Sequence, residues 1–368
     1  MKTSRHFYTL SAVKESANSS TRRIKRRQMS PADWEKLPDE EILAIRIRDL
    51  GLELIRSPLH GYVQALYSEL ENRGISFRPP CYLADEWLCP DREPIIGIPF
   101  ILAHPRLLHI EKQMMFEAEG ATAAECMKLL RHECGHALNY AYRLYSRTRW
   151  RELFGPFTAP YLSSYSYQPY SRRYVVHLPN AYAQAHPDED FAETLAVWLT
   201  PGEDWREKYR DWPALAKLEY VDRVVSKLAE QPPVVVTNAT PWSAGRMTST
   251  LGAWYERRRR YLGPEFAGYY DGALRSIFTQ GSAADRAGVP ASRMLRRYRR
   301  RIMNSVAACS GLRKYDVHEL LNRLIRRCDT LGLCIDGPEA DALIRVTSLV
   351  SAAAVRSFKF DENRSRHL

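Results

Sequence analysis

The sequence predicts an α+β protein: a domain with a small mixed sheet and one central helix over residues 29–235, then a linker and α-helical region over 236–368. Three observations carry this. A capped stretch at 124–145 sets two histidines and a glutamate at helical spacing. A β-rich run at 95–102 is interrupted by Gly97 and Pro99. The last third suggests further helices, at 292–308, 316–330 and 338–358.

Composition bounds the alternatives. A chain of 368 residues has room for two domains, and 45% hydrophobic with 26% charged residues is the make-up of an ordinary globular protein. The net charge of +11 concerns partners rather than fold and points to nucleic acid, a membrane surface or acidic substrates. Seven irregularly spaced cysteines give neither a disulfide framework nor a CxxC metal site, which suits reduced thiols in the cytoplasm. The first 20 residues lack the apolar core of a secretory signal, and the longest strongly apolar run, 95–103, is far short of the ~20 residues that span a bilayer. The expectation is a cytoplasmic protein with no membrane partner.

In order along the chain, residues 1–28 are polar and end in Arg22, Arg23, Lys25, Arg26 and Arg27, which predicts a disordered basic tail. Ser30-Pro31 with Asp33 reads as a helix start. Helices follow at 40–50 and 58–72, closed by Gly51 and Gly74. In the run 95–102, proline cannot donate to a ladder, so this strand belongs at a sheet edge, where it offers pairing to an extended peptide.

The central helix is signalled by Thr122 and Glu125, which have the form of a capping box, and by the lack of proline before Pro156. Leu130, Ala137, Leu138, Ala141 and Leu144 supply apolar faces. His132 and His136 lie one turn apart with Glu133 beside them. Two imidazoles at that spacing share one Zn2+, and the flanking carboxylate can take a proton from water activated by the metal, the chemistry of a zinc hydrolase. The connection 154–179 that follows holds Tyr161, Tyr165, Tyr167, Tyr170 and Tyr174 with Arg172 and Arg173. Its length fits a lid or substrate wall, and its tyrosines and arginines are also of the kind that stack on bases.

Two histidines need a third protein ligand. The candidates lie in His186-Pro187-Asp188-Glu189-Asp190-Phe191-Ala192-Glu193, where Pro187 opens a helix and early carboxylates suit its dipole. Glu189 and Glu193 share a face, so one can bind metal while the other accepts the second ring N–H of a ligating histidine. Ala192 and Ala196 leave room for a close helix neighbour. Asp190 and His186 are alternative ligands.

The pattern His132-Glu133-x-x-His136, then Glu189 with Glu193 one turn later, resembles the gluzincin metallopeptidases, and the Glu-Asp-Phe-Ala-Glu run is similar to that of lethal-factor-like members. More closely, residues 30–280, including Arg172-Arg173-Tyr174 and the 186–193 segment, resemble a bacterial family of predicted zinc-binding metallopeptidases. The resemblance implies a zincin-like catalytic domain, His132, His136 and Glu189 as zinc ligands, Glu133 as general base, Glu193 behind the ligands, and Tyr182 supporting the oxyanion. Glu189 is preferred as ligand because it matches the resemblance and has an acidic partner, Glu193, one turn on.

Beyond residue 231, 232–246 reads as a surface connection. Arg257–Arg260 form a basic run, and helices are expected at 292–308, at 316–330 with Asp316 and Glu319 as a capping pair, and at 338–358. Arg296, Arg297, Arg299, Arg300 and Arg301 make the first of these densely positive. The function expected is a zinc-dependent metallopeptidase acting on a peptide or protein. The alternatives are a basic nucleic-acid-binding protein with a structural or vestigial zinc site, and a zinc amidase with a non-protein substrate. Salt-dependent binding to nucleic acid separates the first, and an intact Glu133 favours catalysis over a structural metal.

Overall fold

The computed structural model describes residues 30–161, 165, 168, 170–228, 231–259, 270–280 and 289–359, so the basic tail at 1–28, Tyr167 and Arg260 lie outside the described residues. The chain is mostly helical, with few and short strands, as an α+β reading requires. Helix α1 (Pro31–Trp34) starts where the Ser30 N–H donates to Asp33 Oδ2 at 2.7 Å. Buried Trp34 then donates to the Leu50 carbonyl at 2.9 Å and ties the entering chain down.

The helix expected over 40–50 is two pieces. Helix α2 (Asp39–Ala44) stops at extended Ile45 and Arg46, and a 3-10 turn Ile47–Leu50 follows, closed by left-handed Gly51. The cause is non-local. Leu251 donates to the Ile45 carbonyl and Ile47 donates to the Ser249 carbonyl, so these backbone groups serve a distant segment instead of a helix. Helix α3 (Leu59–Asn72) ends before Gly74, also at positive φ.

Strands β1 (Cys81–Ala84) and β2 (Ile96–Pro99) pair in parallel, Tyr82 opposite Gly97. Isolated antiparallel bridges flank them, Leu88 with Gly97 and Ala84 with Ser243. The β-rich run therefore ends at Pro99, and Phe100–Ala103 turn into a 3-10 segment before α4 (Pro105–Met115). The outer edge of β2 is not open to a peptide at Gly97. Its N–H and carbonyl are both taken by Leu88, at 2.8 and 3.2 Å.

Helix α5 (Ala123–Ala141) has the expected reciprocal cap: the Thr122 N–H donates to Glu125 Oε2 and the Glu125 N–H to Thr122 Oγ1, each at 3.2 Å. It stops at Ala141, and Arg143 is left-handed, so Leu144 and Tyr145 belong to a separate turn. Helices α6 (Thr148–Phe154), α7 (Pro187–Leu199), α8 (Trp205–Lys208), α9 (Leu215–Ser226) and α10 (Leu251–Arg259) complete one hydrophobic core that runs from Trp34 to Tyr255.

A second core begins at Leu274 and ends at Ala354. It is built by α11 (Asp271–Ile277), α12 (Ala291–Ser310), α13 (Lys314–Leu331) and α14 (Glu339–Lys359), with β3 (Thr279–Gln280) antiparallel to β4 (Leu333–Cys334). Helix α13 starts two residues before the expected cap. Asp316 lies inside its first turn, buried, and accepts two bonds from the Arg313 guanidinium at 2.9 and 3.0 Å. The two cores meet where the Lys314 N–H donates to Glu117 and the Phe116 ring packs on His318. Among the described residues no helix is long and apolar enough to cross a membrane.

Candidate metal centre

The centre exists because α5 and α7 approach closely, and one glycine permits it. A Cβ built on Gly135 would stand 2.6 Å from Ala192 Cα and 2.8 Å from the Ala192 carbonyl oxygen, distances that real side chains do not adopt. Gly135 lies between the two histidines, and Ala192 between Glu189 and Glu193. The contact therefore sets α7 against the histidine face of α5.

Across it, three donor atoms converge. His132 Nε2 is 3.0 Å from Glu189 Oε2, His136 Nε2 is 3.2 Å from the same oxygen, and the two Nε2 atoms are 3.2 Å apart. All three residues are buried, and the group can hold a metal ion.

Each imidazole is oriented from behind. His132 Nδ1 lies 2.7 Å from Glu193 Oε1, and the other Glu193 oxygen accepts the Leu178 N–H at 2.7 Å. His136 Nδ1 lies 3.0 Å from Asp188 Oδ2, and Asp188 also accepts bonds from Asn139 Nδ2, at 2.7 Å, and from the Tyr140 hydroxyl. Each Nδ1 donates to the carboxylate behind it, which leaves each Nε2 to face the triangle, where a metal ion would take the place of its proton.

Electrostatics follow from this packing. Burial by itself would lower the His132 imidazole, but Glu189 and Glu193 on either side outweigh it and push its pKa up to about 10. His136 is held well above its ordinary value against the same burial cost by Asp188 and Glu189. Burial works against the ionised Glu189 carboxylate, yet His136 and His132 hold it well below the usual range. Burial raises the Glu133 carboxyl, and the two histidines offset this only in part. Among the described residues nothing hydrogen-bonds the Glu133 carboxylate, which is buried.

The two other candidate ligands are committed elsewhere. Asp190 turns away from the histidines to a buried pair with Lys217 Nζ at 2.6 Å, and that ammonium also donates to the Arg173 carbonyl. His186 caps α7: its Nδ1 accepts the Asp188 N–H at 3.1 Å, and its Nε2 donates to the Ala159 carbonyl at 2.8 Å. Tyr182 stands beside the centre, its ring centroid 5.5 Å from that of His132. It is delivered by two consecutive left-handed residues, Asn180 (φ 62°) and Ala181 (φ 51°). Such backbone costs roughly 1–2 kcal/mol per residue and persists only where packing enforces it.

Compared with family models, curated proteins and solved structures, the chain finds no match. What can be said of the centre thus rests on its own geometry.

That geometry includes four side chains whose part in the centre the sequence does not reveal. Asn139 and Tyr140 lie three and four residues after His136, so extending the histidine face by one turn would have found them. Asp188 resembles an ordinary carboxylate at a helix start. Tyr161 donates to Glu189 Oε1 at 3.2 Å and stacks on His186 with centroids 3.7 Å apart, and nothing in its sequence neighbourhood distinguishes it from the other tyrosines of the connection.

Proposed function

We propose that the protein is a zinc-dependent metallopeptidase of zincin-like architecture. The observation that carries this is the donor triangle, with edges of 3.0, 3.2 and 3.2 Å, beside an unbonded buried carboxylate. Four ligands placed tetrahedrally at the ~2.0–2.1 Å usual for zinc stand about 3.3 Å apart, so three protein donors and one open position suit a catalytic zinc. The donor set, two neutral imidazoles and one carboxylate, is also a catalytic rather than a structural combination.

His132, His136 and Glu189 would hold the ion. Bound there, Zn2+ supplies a Lewis acid that polarises a carbonyl and makes water acidic enough to react near neutral pH. Glu133 accepts the proton of the attacking water on its carboxylate and returns it to the nitrogen of the leaving amine. Burial raises the basicity of that carboxylate towards the working pH. Glu193 and Asp188 keep the ligand rings in one tautomer. Tyr182, beside His132, is positioned to donate to the oxyanion of a peptide substrate.

Metal content by mass spectrometry and peptidase turnover, measured on wild type, Glu133→Gln and His136→Ala, test the reading. Glu133→Gln is expected to keep one equivalent of zinc and lose turnover, and His136→Ala to lose both. Wild-type protein unable to take up zinc would overturn it, and so would undiminished turnover in Glu133→Gln.

A further inference from the structure

Residues 270–359 hold 16 Lys and Arg against 8 Asp and Glu, and this quarter of the chain therefore carries +8 of its +11. The charge is concentrated on α12. One side of that helix, through Met294, Leu295, Ile302, Met303 and Val306, is buried in the second core. At about 100° per residue, Arg293, Arg297, Arg300, Arg301 and Asn304 fall within an arc of roughly 100° on the opposite side. All five are exposed.

Among the described residues, the helix's neighbours leave most of this stripe without a counter-charge. Arg296, at its margin, is paired with Asp329 at 2.5 Å. Within the stripe, Arg297 has its nearest carboxylate, Glu339, at 3.8 Å. The Arg293 and Arg300 guanidinium groups have no hydrogen bond or ion pair with any described residue. Arg297 and Arg301 flank the half-buried Tyr298 ring, at 5.5 and 5.8 Å from its centroid.

We infer that this face of α12 binds the phosphate backbone of double-stranded DNA. Guanidinium groups grip phosphate oxygens in pairs, and four of them along about 12 Å of helix oppose a polymer that carries one charge per ~1.7 Å. The B-form major groove, ≈12 Å wide, admits a helix, whereas the A-form groove of RNA is too narrow for side chains to enter. Single strands are held by stacking on exposed aromatic rings, and the aromatic residue of α12, Tyr298, lies half-buried beside the stripe. An anionic membrane is bound by helices with a free apolar face, and that of α12 is spent in the core.

The test is fluorescence anisotropy of a labelled 20-base-pair duplex of mixed sequence with the full chain over a range of KCl concentrations. The stripe should contribute about −3 to −4 to the slope of log affinity against log salt. The variant R293Q/R297Q/R300Q/R301Q is expected to lose most of that slope and at least tenfold in affinity. The corresponding four-lysine variant keeps the slope, Arg300→Gln alone reduces it by about 1, and Arg296→Gln changes it little. Circular dichroism melts establish that each variant is folded. Glu133→Gln binds the duplex like wild type, so this outcome is independent of the metallopeptidase reading. Wild type that fails to bind the duplex would overturn the inference, and so would a four-glutamine variant of unchanged affinity and slope. Single-stranded RNA or phosphatidylserine vesicles held as tightly through the same four arginines would overturn it as well.

Discussion

Replacing Gly135 by alanine separates two opposed effects. In a solvent-exposed helix the change would stabilise by about 1 kcal/mol, because alanine loses less backbone freedom than glycine. At Gly135 the added Cβ would lie 2.6 Å from Ala192 Cα, where ordinary contact begins at 3.4 Å. Helices α5 and α7 must then part by about 0.8 Å, an overpacking that costs typically 1–3 kcal/mol. The parting stretches the two edges that cross between the helices, His132 to Glu189 and His136 to Glu189, beyond the ~3.3 Å of a tetrahedral zinc face. Metal affinity should fall by roughly 10- to 100-fold, the range seen when a ligand's support is disturbed. Competition with a chromophoric chelator reads the affinity, and urea denaturation the stability. Adding Ala192→Gly should not rescue the variant, because the atoms met are the backbone of residue 192 rather than its methyl. A Gly135→Ala protein at least as stable as wild type, with unchanged zinc affinity, would refute this account of how the centre is built.

Asp188→Asn leaves the His136 Nδ1 proton facing an amide, and zinc affinity should drop by about 10- to 100-fold in chelator competition with the fold retained. Tyr161→Phe removes a single hydrogen bond to Glu189 Oε1 and should weaken zinc by no more than about tenfold, roughly 1.4 kcal/mol, in the same assay. Lys217→Met strands the buried Asp190 carboxylate and should cost about 3–5 kcal/mol by urea denaturation, and a loss below 1 kcal/mol would show the pair to be dispensable. In metal-free protein His132 holds its proton up to about pH 10, so zinc uptake at pH 7–8 must release protons, and apparent affinity should rise with pH over that range. Calorimetry in buffers of different ionisation enthalpy measures the release. The same raised value stabilises the metal-free fold fully below about pH 6.5, and this contribution is lost as pH rises through about 10.

Local signals in the sequence sufficed for the parts of the site that lie on one element. The Thr122–Glu125 cap, the i, i+4 histidines and the Pro187 helix start each depend on neighbours within a turn or two, and each is found in the structure. Choosing among Glu189, Asp190 and His186 as third ligand was a different problem. All three are chemically able to ligate, and what decides is where the others find partners: Lys217 for Asp190, the Asp188 N–H and the Ala159 carbonyl for His186. The break in the helix expected over 40–50 has the same origin, since the backbone of Ile45 and Ile47 is claimed by residues about 200 positions later. Periodicity cannot report such claims. Nor can it report Gly135, which within the histidine motif reads only as a poor helix former until α7 is laid against it.

The helical C-terminal region also packs against the turn that precedes Tyr182, at a place that chain order conceals. Helix α12 ends at left-handed Gly311, and the Asn180 side-chain amide presses against that glycine so closely that a Cβ there would lie within 2.2 Å of it. Asn180 is the first of the two left-handed residues that carry Tyr182 to His132. Two successive residues in that conformation do not hold it unaided, because each sets its Cβ against its own carbonyl. The C-cap of α12 and the Asn180 amide thus pack together, two residues before Tyr182. The Gly135–Ala192 contact lies wholly before residue 235, whereas the Gly311–Asn180 contact crosses that division. The first sets α7 against the histidine face of α5, and the second seats the Asn180 amide of the turn that precedes Tyr182.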